Sequence, residues 1–225
     1  MTAEKQSLAG TSRLDRAARK AARVEAREQA ERWASDLLTL AEGERQCKQD
    51  VIDAALAALS INHPDAVRTT LATVFAGRPV RVARVLGDEV GLVVVVPTPD
   101  IVPGRKPALT PSGAPTLHQV TKTERNEWHA QVVAAHLLLA AKEAFAHAHG
   151  LVAARVVAVD GANVPLVAAR VERARLAAID GHEAAWPILT RASSELRFES
   201  RGRTKELVTV DLRSVDVFGP VILAE

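Results

Sequence analysis

His129, His136 and Glu143 recur at seven-residue steps between Lys122 and Gly150. Imidazole and carboxylate are ordinary ligands for zinc, but pairs on one helix must sit three or four residues apart to reach one ion. Seven residues of helix rise separate two side chains by about 10 Å. The spacing therefore points to histidines engaged in packing or hydrogen bonding, and no metal or cofactor is expected. His147 and His149 fall near the end of the same segment, where a helix C-terminus favours partial positive charge. A restriction-type nuclease needs an Asp followed on the next strand by Asp/Glu-x-Lys, to hold a metal and place a water. Neither Asp-x-Lys nor Glu-x-Lys occurs in the chain. Gly-x-Ser-x-Gly and Gly-x-x-x-x-Gly-Lys are also missing, which removes the hydrolase elbow and the phosphate loop. No catalytic residue is assigned, and the expectation leans away from an enzyme.

Two basic features are candidates for phosphate contact. Arg13, Arg16, Lys20, Arg23 and Arg27 recur every three or four residues as one stripe, and Arg201-Gly202-Arg203-Thr204-Lys205 reads as a basic turn. A glycine-flanked basic turn offers backbone amides as well as charge. Against this, 29 basic and 27 acidic side chains give no global attraction to nucleic acid. Glu25, Glu28 and Glu31 can pair along the stripe, and a chain with no Tyr has few rings for base stacking. Nucleic-acid binding is one alternative reading, and an enzyme with an unrecognised site is the other.

The elements that carry these residues change character along the chain. Residues 1–12 are polar and read as a disordered tail, and residues 13–77 as a helical arm. From Arg13 to Leu40 the composition is helix-favouring, with Leu14, Ala17, Ala21 and Val24 as a weak apolar seam. Glu28 and Glu31 interrupt it before Trp33, Leu37 and Leu40 resume, so three or four unbroken heptads are absent. Gly43 is the expected break before a second segment with Val51, Ala55, Leu56 and Leu59 on one face. Pro64 suits the first turn of a third helix, which carries Val67, Leu71, Val74 and Phe75 and stops at Gly77. The single cysteine, Cys47, excludes an internal disulfide and reads as a small buried hydrophobe.

Residues 78–225 read as an α+β domain. Val80 to Leu86 and Val90 to Val96 form an antiparallel hairpin through Gly87-Asp88-Glu89. A helix runs from Lys122 or Thr123 to about His149, and its middle, Val132 to Ala141, is apolar almost all round, as expected of a buried central helix. Leu151 to Val159 and Val164 to Ile179 make a second hairpin. Pro187 to Glu195 is a short helix, and Leu196 to Ser200 with Leu207 to Leu212 make a third hairpin. Hairpin neighbours around one long helix imply an antiparallel or mixed sheet rather than a doubly wound one.

Between the first hairpin and the central helix lies a loop, residues 97–121, with Pro97, Pro99, Pro103, Pro107, Pro111 and Pro115. Six prolines fix φ, and Ile101, Val102, Leu109, Leu117 and Val120 supply apolar anchors, so an ordered surface segment is expected. Ser112-Gly113 is its far turn.

Asp100-Ile101-Val102-Pro103, Leu109-Thr110-Pro111-Ser112-Gly113 and Lys122 to Trp128, with Glu143-Ala144-Phe145-Ala146 and Arg155-Val156-Val157-Ala158-Val159, form a recognisable series. From Val93 to Leu212 the chain resembles the C-terminal domain of uncharacterised bacterial proteins that carry a short, separately named domain at their N-terminus. Two departures stand out. Ala134-Ala135-His136 replaces a centre containing cysteine and arginine, and Phe198 to Leu212 replaces an aromatic-rich closing hairpin. The resemblance implies fold boundaries and no activity.

The expected molecule is an assembly or protein-interaction protein. Its partner is another protein or a second copy of itself. Trp33, Leu37 and Leu40 of the arm are the expected association residues, and Asp100, Pro103, Leu109, Thr110, Ser112 and Gly113 of the loop the contact surface. No apolar run reaches a membrane-spanning length of about 18 residues and no hydrophobic leader stands at the N-terminus, so a cytoplasmic location is expected.

Overall fold

The computed structural model describes residues 16–212. Expectations placed on residues 1–12 and on Arg13 lie outside them. The chain divides into two compact units between Leu56 and Ala57.

The first unit is helical. Helix α1 runs unbroken from Arg16 to Ser60, past the expected break at Gly43 and into the second unit. One glycine costs a helix about 1 kcal/mol, and the surrounding Ala, Leu, Glu, Arg and Lys outweigh it. Arg27 pairs with Glu31 at 2.9 Å, and the side-chain amides of Gln46 and Gln49 reach Asp50 and Asp53, all at four-residue spacing. Cys47 is exposed, not buried as its helical face implied, because no described residue of this unit packs over that face.

The second unit begins with helix α2 (Pro64–Val74), its proline in the first turn. Val67, Leu71 and Phe75 enter the core of this unit, so the sheet-bearing body starts at Ala57 rather than at residue 78. The strands are β1 (Val80–Leu86), β2 (Glu89–Val95), β3 (Arg105–Leu109), β4 (Pro115–Gln119), β5 (Ala153–Val159), β6 (Pro165–Glu172), β7 (Ser193–Arg201) and β8 (Glu206–Val208). The helices are α3 (Lys122–His147), α4 (Arg173–Ala177) and α5 (Ala185–Ala192), with a single 3-10 turn at Pro99–Ile101. The fold is α+β. Among the described residues a mixed sheet runs in the order β1-β2-β5-β6-β7-β8, and β3-β4 stand apart as a two-stranded sheet.

Each expected hairpin forms; a parallel pairing joins the first to the second, and the antiparallel pairing of β6 with β7 joins the second to the third. Strand β2 lies parallel to β5, Glu89 against Ala153 through Val95 against Val159, with α3 in the crossover. Such a pairing needs a long connection, and the proline loop together with α3 supplies it. The strand expected through Ile179 ends at Glu172, where the chain turns into α4.

Alternation decides the two sheet faces. Val90, Leu92 and Val94 of β2, Ala154, Val156 and Ala158 of β5, and Val167, Ala169 and Val171 of β6 face the main core. They pack with Val133, Ala134, Leu137, Ala141 and Ala144 of α3 and with Ile188 and Leu189 of α5. Alanine on both sides lets helix and sheet approach closely, which suits a chain short of aromatics. Helix α3 is not buried all round, for Ala135 and Leu139 on its outer side are exposed. On the opposite sheet face Val93, Val157, Val159 and Ala168 are covered by Val210 and Leu212, which leave β8 as irregular chain rather than as the expected strand.

Candidate functional site

The proline loop is a folded hairpin. Pro107 and Pro115 sit in β3 and β4, tolerated because each strand of a two-stranded sheet has a free outer edge. Its far turn has Gly113 at φ +83°, Thr110 Oγ1 accepting from the Ala114 N–H at 3.0 Å, and the Thr110 and Ser112 hydroxyls 2.9 Å apart. The base of the loop is tied to α3. Arg125 donates to the Pro99 carbonyl at 3.1 Å and to Asp100 at 2.9 Å, Lys106 pairs with Glu124, and Val102 and Val120 are buried. Thr121 caps α3 in a reciprocal box with Glu124, a signal legible as Thr-x-x-Glu. The hydrogen bond from Lys106, with those from the Thr121 amide and hydroxyl, holds the Glu124 carboxyl down at about 2. Leu109 at the tip and Leu117 stay exposed.

His129 is buried on α3 with its Nε2 2.8 Å from the Pro97 carbonyl. Glu143 instead pairs with Arg78, and His136 is half-buried. Among the described residues no three His, Cys, Asp or Glu side chains gather where an ion would bind them together.

The arm leaves its large apolar side chains in solvent. Trp33, Leu37 and Leu40 are 56%, 66% and 63% exposed, and Cys47 and Val51 continue their alternating four- and three-residue row, broken only at Glu44. Leu38, Ile52 and Leu56 form a second exposed row about a third of a turn away. In the basic stripe, Arg16, Lys20, Arg23 and Arg27 lie on this same helix.

A feature the linear reading missed lies between α3, α5 and the β7-β8 turn. A cleft of about 530 Å³ is lined by Glu127, Trp128, Gln131, Trp186, Phe198 and Lys205, with Ala130, Ala184, Ser200 and Leu207 completing it. Its size falls in the usual range of small-ligand and side-chain pockets. Trp186 and Phe198 meet edge to face, centroids 4.9 Å apart. The Trp186 amide donates to Gln131 Oε1 at 2.8 Å, which fixes the start of α5 to α3. Buried Asn126 donates to the Thr204 carbonyl at 2.9 Å and fastens the basic turn, while Lys205 pairs with Glu127 at 2.7 Å. Of the basic positions predicted from sequence, the cleft takes in Lys205, with Arg201 and Arg203 on the same turn. Trp128, Trp186 and Phe198 are far apart in the chain, so no local motif announces them.

On the sheet's second face Glu89 sits between Arg155, at 2.6 Å, and Arg170, which also pairs with Glu172 at 2.7 Å. Burial alone would raise the Glu89 carboxyl, but hydrogen bonds from Arg170 and Arg155 outweigh it and hold it below the ordinary value. This network joins β2, β5 and β6 and serves the sheet.

No helix among the described residues is long and apolar enough to cross a membrane. No family model, curated protein or solved structure matches the chain.

Proposed function

We propose that this chain is an assembly or interaction protein that works by association through its helical arm, with the proline hairpin as a second contact surface. The observation that carries this reading is the exposed row of Trp33, Leu37 and Leu40, continued by Val51. Trp33, Leu37 and Leu40 gain little in water, whereas burying one such side chain against a partner contributes about 1.5–3 kcal/mol. A row of this kind on a long helix is what a helix-packing surface requires. The hairpin supports the second part: its base is fixed to α3, its prolines lower the entropy lost on binding, and Leu109 is presented at the tip.

The test is the mass of the full-length protein in solution. Light scattering on the wild type and on a Trp33→Ser, Leu37→Ser, Leu40→Ser variant should show an assembly that the triple substitution reduces to monomer. A wild type that is monomeric at every accessible concentration would exclude self-association through the arm.

A further inference from the structure

We infer that the cleft between α3, α5 and the β7-β8 turn binds unpaired bases of single-stranded nucleic acid. Of the aromatic side chains in the second unit among the described residues, Phe75 and Phe145 are core, and the other three all line this one cleft. Trp128 and Phe198 are 39% and 42% exposed there. Trp186 between them is half-buried against the core, so packing accounts for that ring but not for the two beside it that stay open to solvent.

The rings are held before any ligand arrives. Trp128 sits on the longest helix of its unit, and the Trp186–Phe198 contact is locked through Gln131. Stacking on a preset ring is the sequence-tolerant part of single-strand recognition. The polar groups suit the edges of a base: the Glu127 carboxylate accepts, the Lys205 ammonium donates, and the Ser200 hydroxyl does either. The phosphate that follows a base needs cations beside the rings rather than among them. Arg201 and Arg203 are exposed on the turn that buried Asn126 ties to α3, and Arg203 has no ion pair among the described residues. Asn126 is thus a positioning residue for the basic turn. A peptide would use the same rings but has no need of the arginines beside them.

The experiment is fluorescence anisotropy of the full-length protein with a labelled oligothymidylate of about 12 nucleotides, within the span one single-strand site covers. The expected result is binding that weakens with salt, competes poorly with duplex of the same length, and is much tighter than for thymidine monophosphate. Trp128→Ala should weaken it about tenfold, the usual loss for one stacked base, while Trp128→Phe should keep most of the affinity. Arg203→Glu should reduce the salt dependence, and each variant is checked by thermal melt. Asn126→Ala should weaken binding with the salt dependence of Arg203→Glu rather than the loss of Trp128→Ala. Four results overturn the inference: no binding by the wild type, full binding by folded Trp128→Ala, equal affinity for the mononucleotide, or a proline-rich peptide that quenches the cleft tryptophans when the oligonucleotide does not. Loss of binding only when Arg16, Lys20, Arg23 and Arg27 are all replaced would also overturn it. None of these results bears on the mass of the wild-type assembly.

Discussion

Arg173 closes the C-terminal end of α3 from a distance, and replacing it tests how the second unit is held together. Its Nε donates to the Leu151 carbonyl at 2.6 Å, and one terminal nitrogen donates to the Phe145 and Ala148 carbonyls at 2.9 and 2.8 Å. The guanidinium carbon lies 4.8 Å from the centre of the Phe145 ring. The last carbonyls of a helix have no partner within it, so Arg173 meets an existing need with a charge that the helix dipole also favours. Each hydrogen bond from a charged group is worth about 1.5–3 kcal/mol and the ring contact about 0.5–1 kcal/mol. These contributions share one side chain and do not add, and Arg173 is only half-buried, so Arg173→Ala should cost about 3 kcal/mol. In a unit of this size that lowers the melting temperature by about 10 °C. Arg173→Lys loses the planar fork and should recover about half of the loss. Arg191, whose pair with Glu183 spans 2.5 Å between two half-exposed side chains, is the control, and Arg191→Ala should cost under about 1 kcal/mol. Urea titration gives both values if the slope of the transition is unchanged. If Arg173→Ala is no worse than Arg191→Ala, the remote cap does not hold the helix end.

Four further outcomes are expected. Glu124 has its folded-state pKa lowered to about 2, so its stabilising contribution is complete above its ordinary value of 4.5 and drains away as pH falls toward 2; Glu124→Gln should flatten a melting-temperature profile across that interval. Leu137→Ala removes a fully buried side chain between α3 and the sheet and should cost about 2–5 kcal/mol by chemical denaturation. Gly150→Ala would bring a methyl group within 2.4 Å of Asn62 Oδ1 and 2.9 Å of the Ser60 carbonyl, so the variant should melt at a lower temperature while Gly161→Ala, in open space, should not. Deleting residues 1–42 should lower the assembled mass by light scattering and leave the circular-dichroism melt of the second unit in place, because its core begins at Val67.

Local interactions made much of this fold legible in the sequence. Pro64, the Gly87-Asp88-Glu89 turn, the stop near Gly150 and the valine runs of β2 and β5 act within a few residues, and each element they announced is present. The exposed arm was readable for the same reason: Trp33, Leu37 and Leu40 sit on a helix too polar elsewhere to need cover. Pairing over long separations was not readable. Nothing local says that β2 lies beside β5, and Arg173, three residues past Arg170 in what reads as one strand, gives no sign that it turns into α4 to cap α3. Composition was misleading about the aromatics, for a count of rings carries no position, and three of them line one cleft only because α3, α5 and β7 converge. Sequence determined the elements, because hydrogen bonding and periodicity act along the chain; tertiary structure alone decided the cleft, because side chains about 60 residues apart meet only after the long loops between them close.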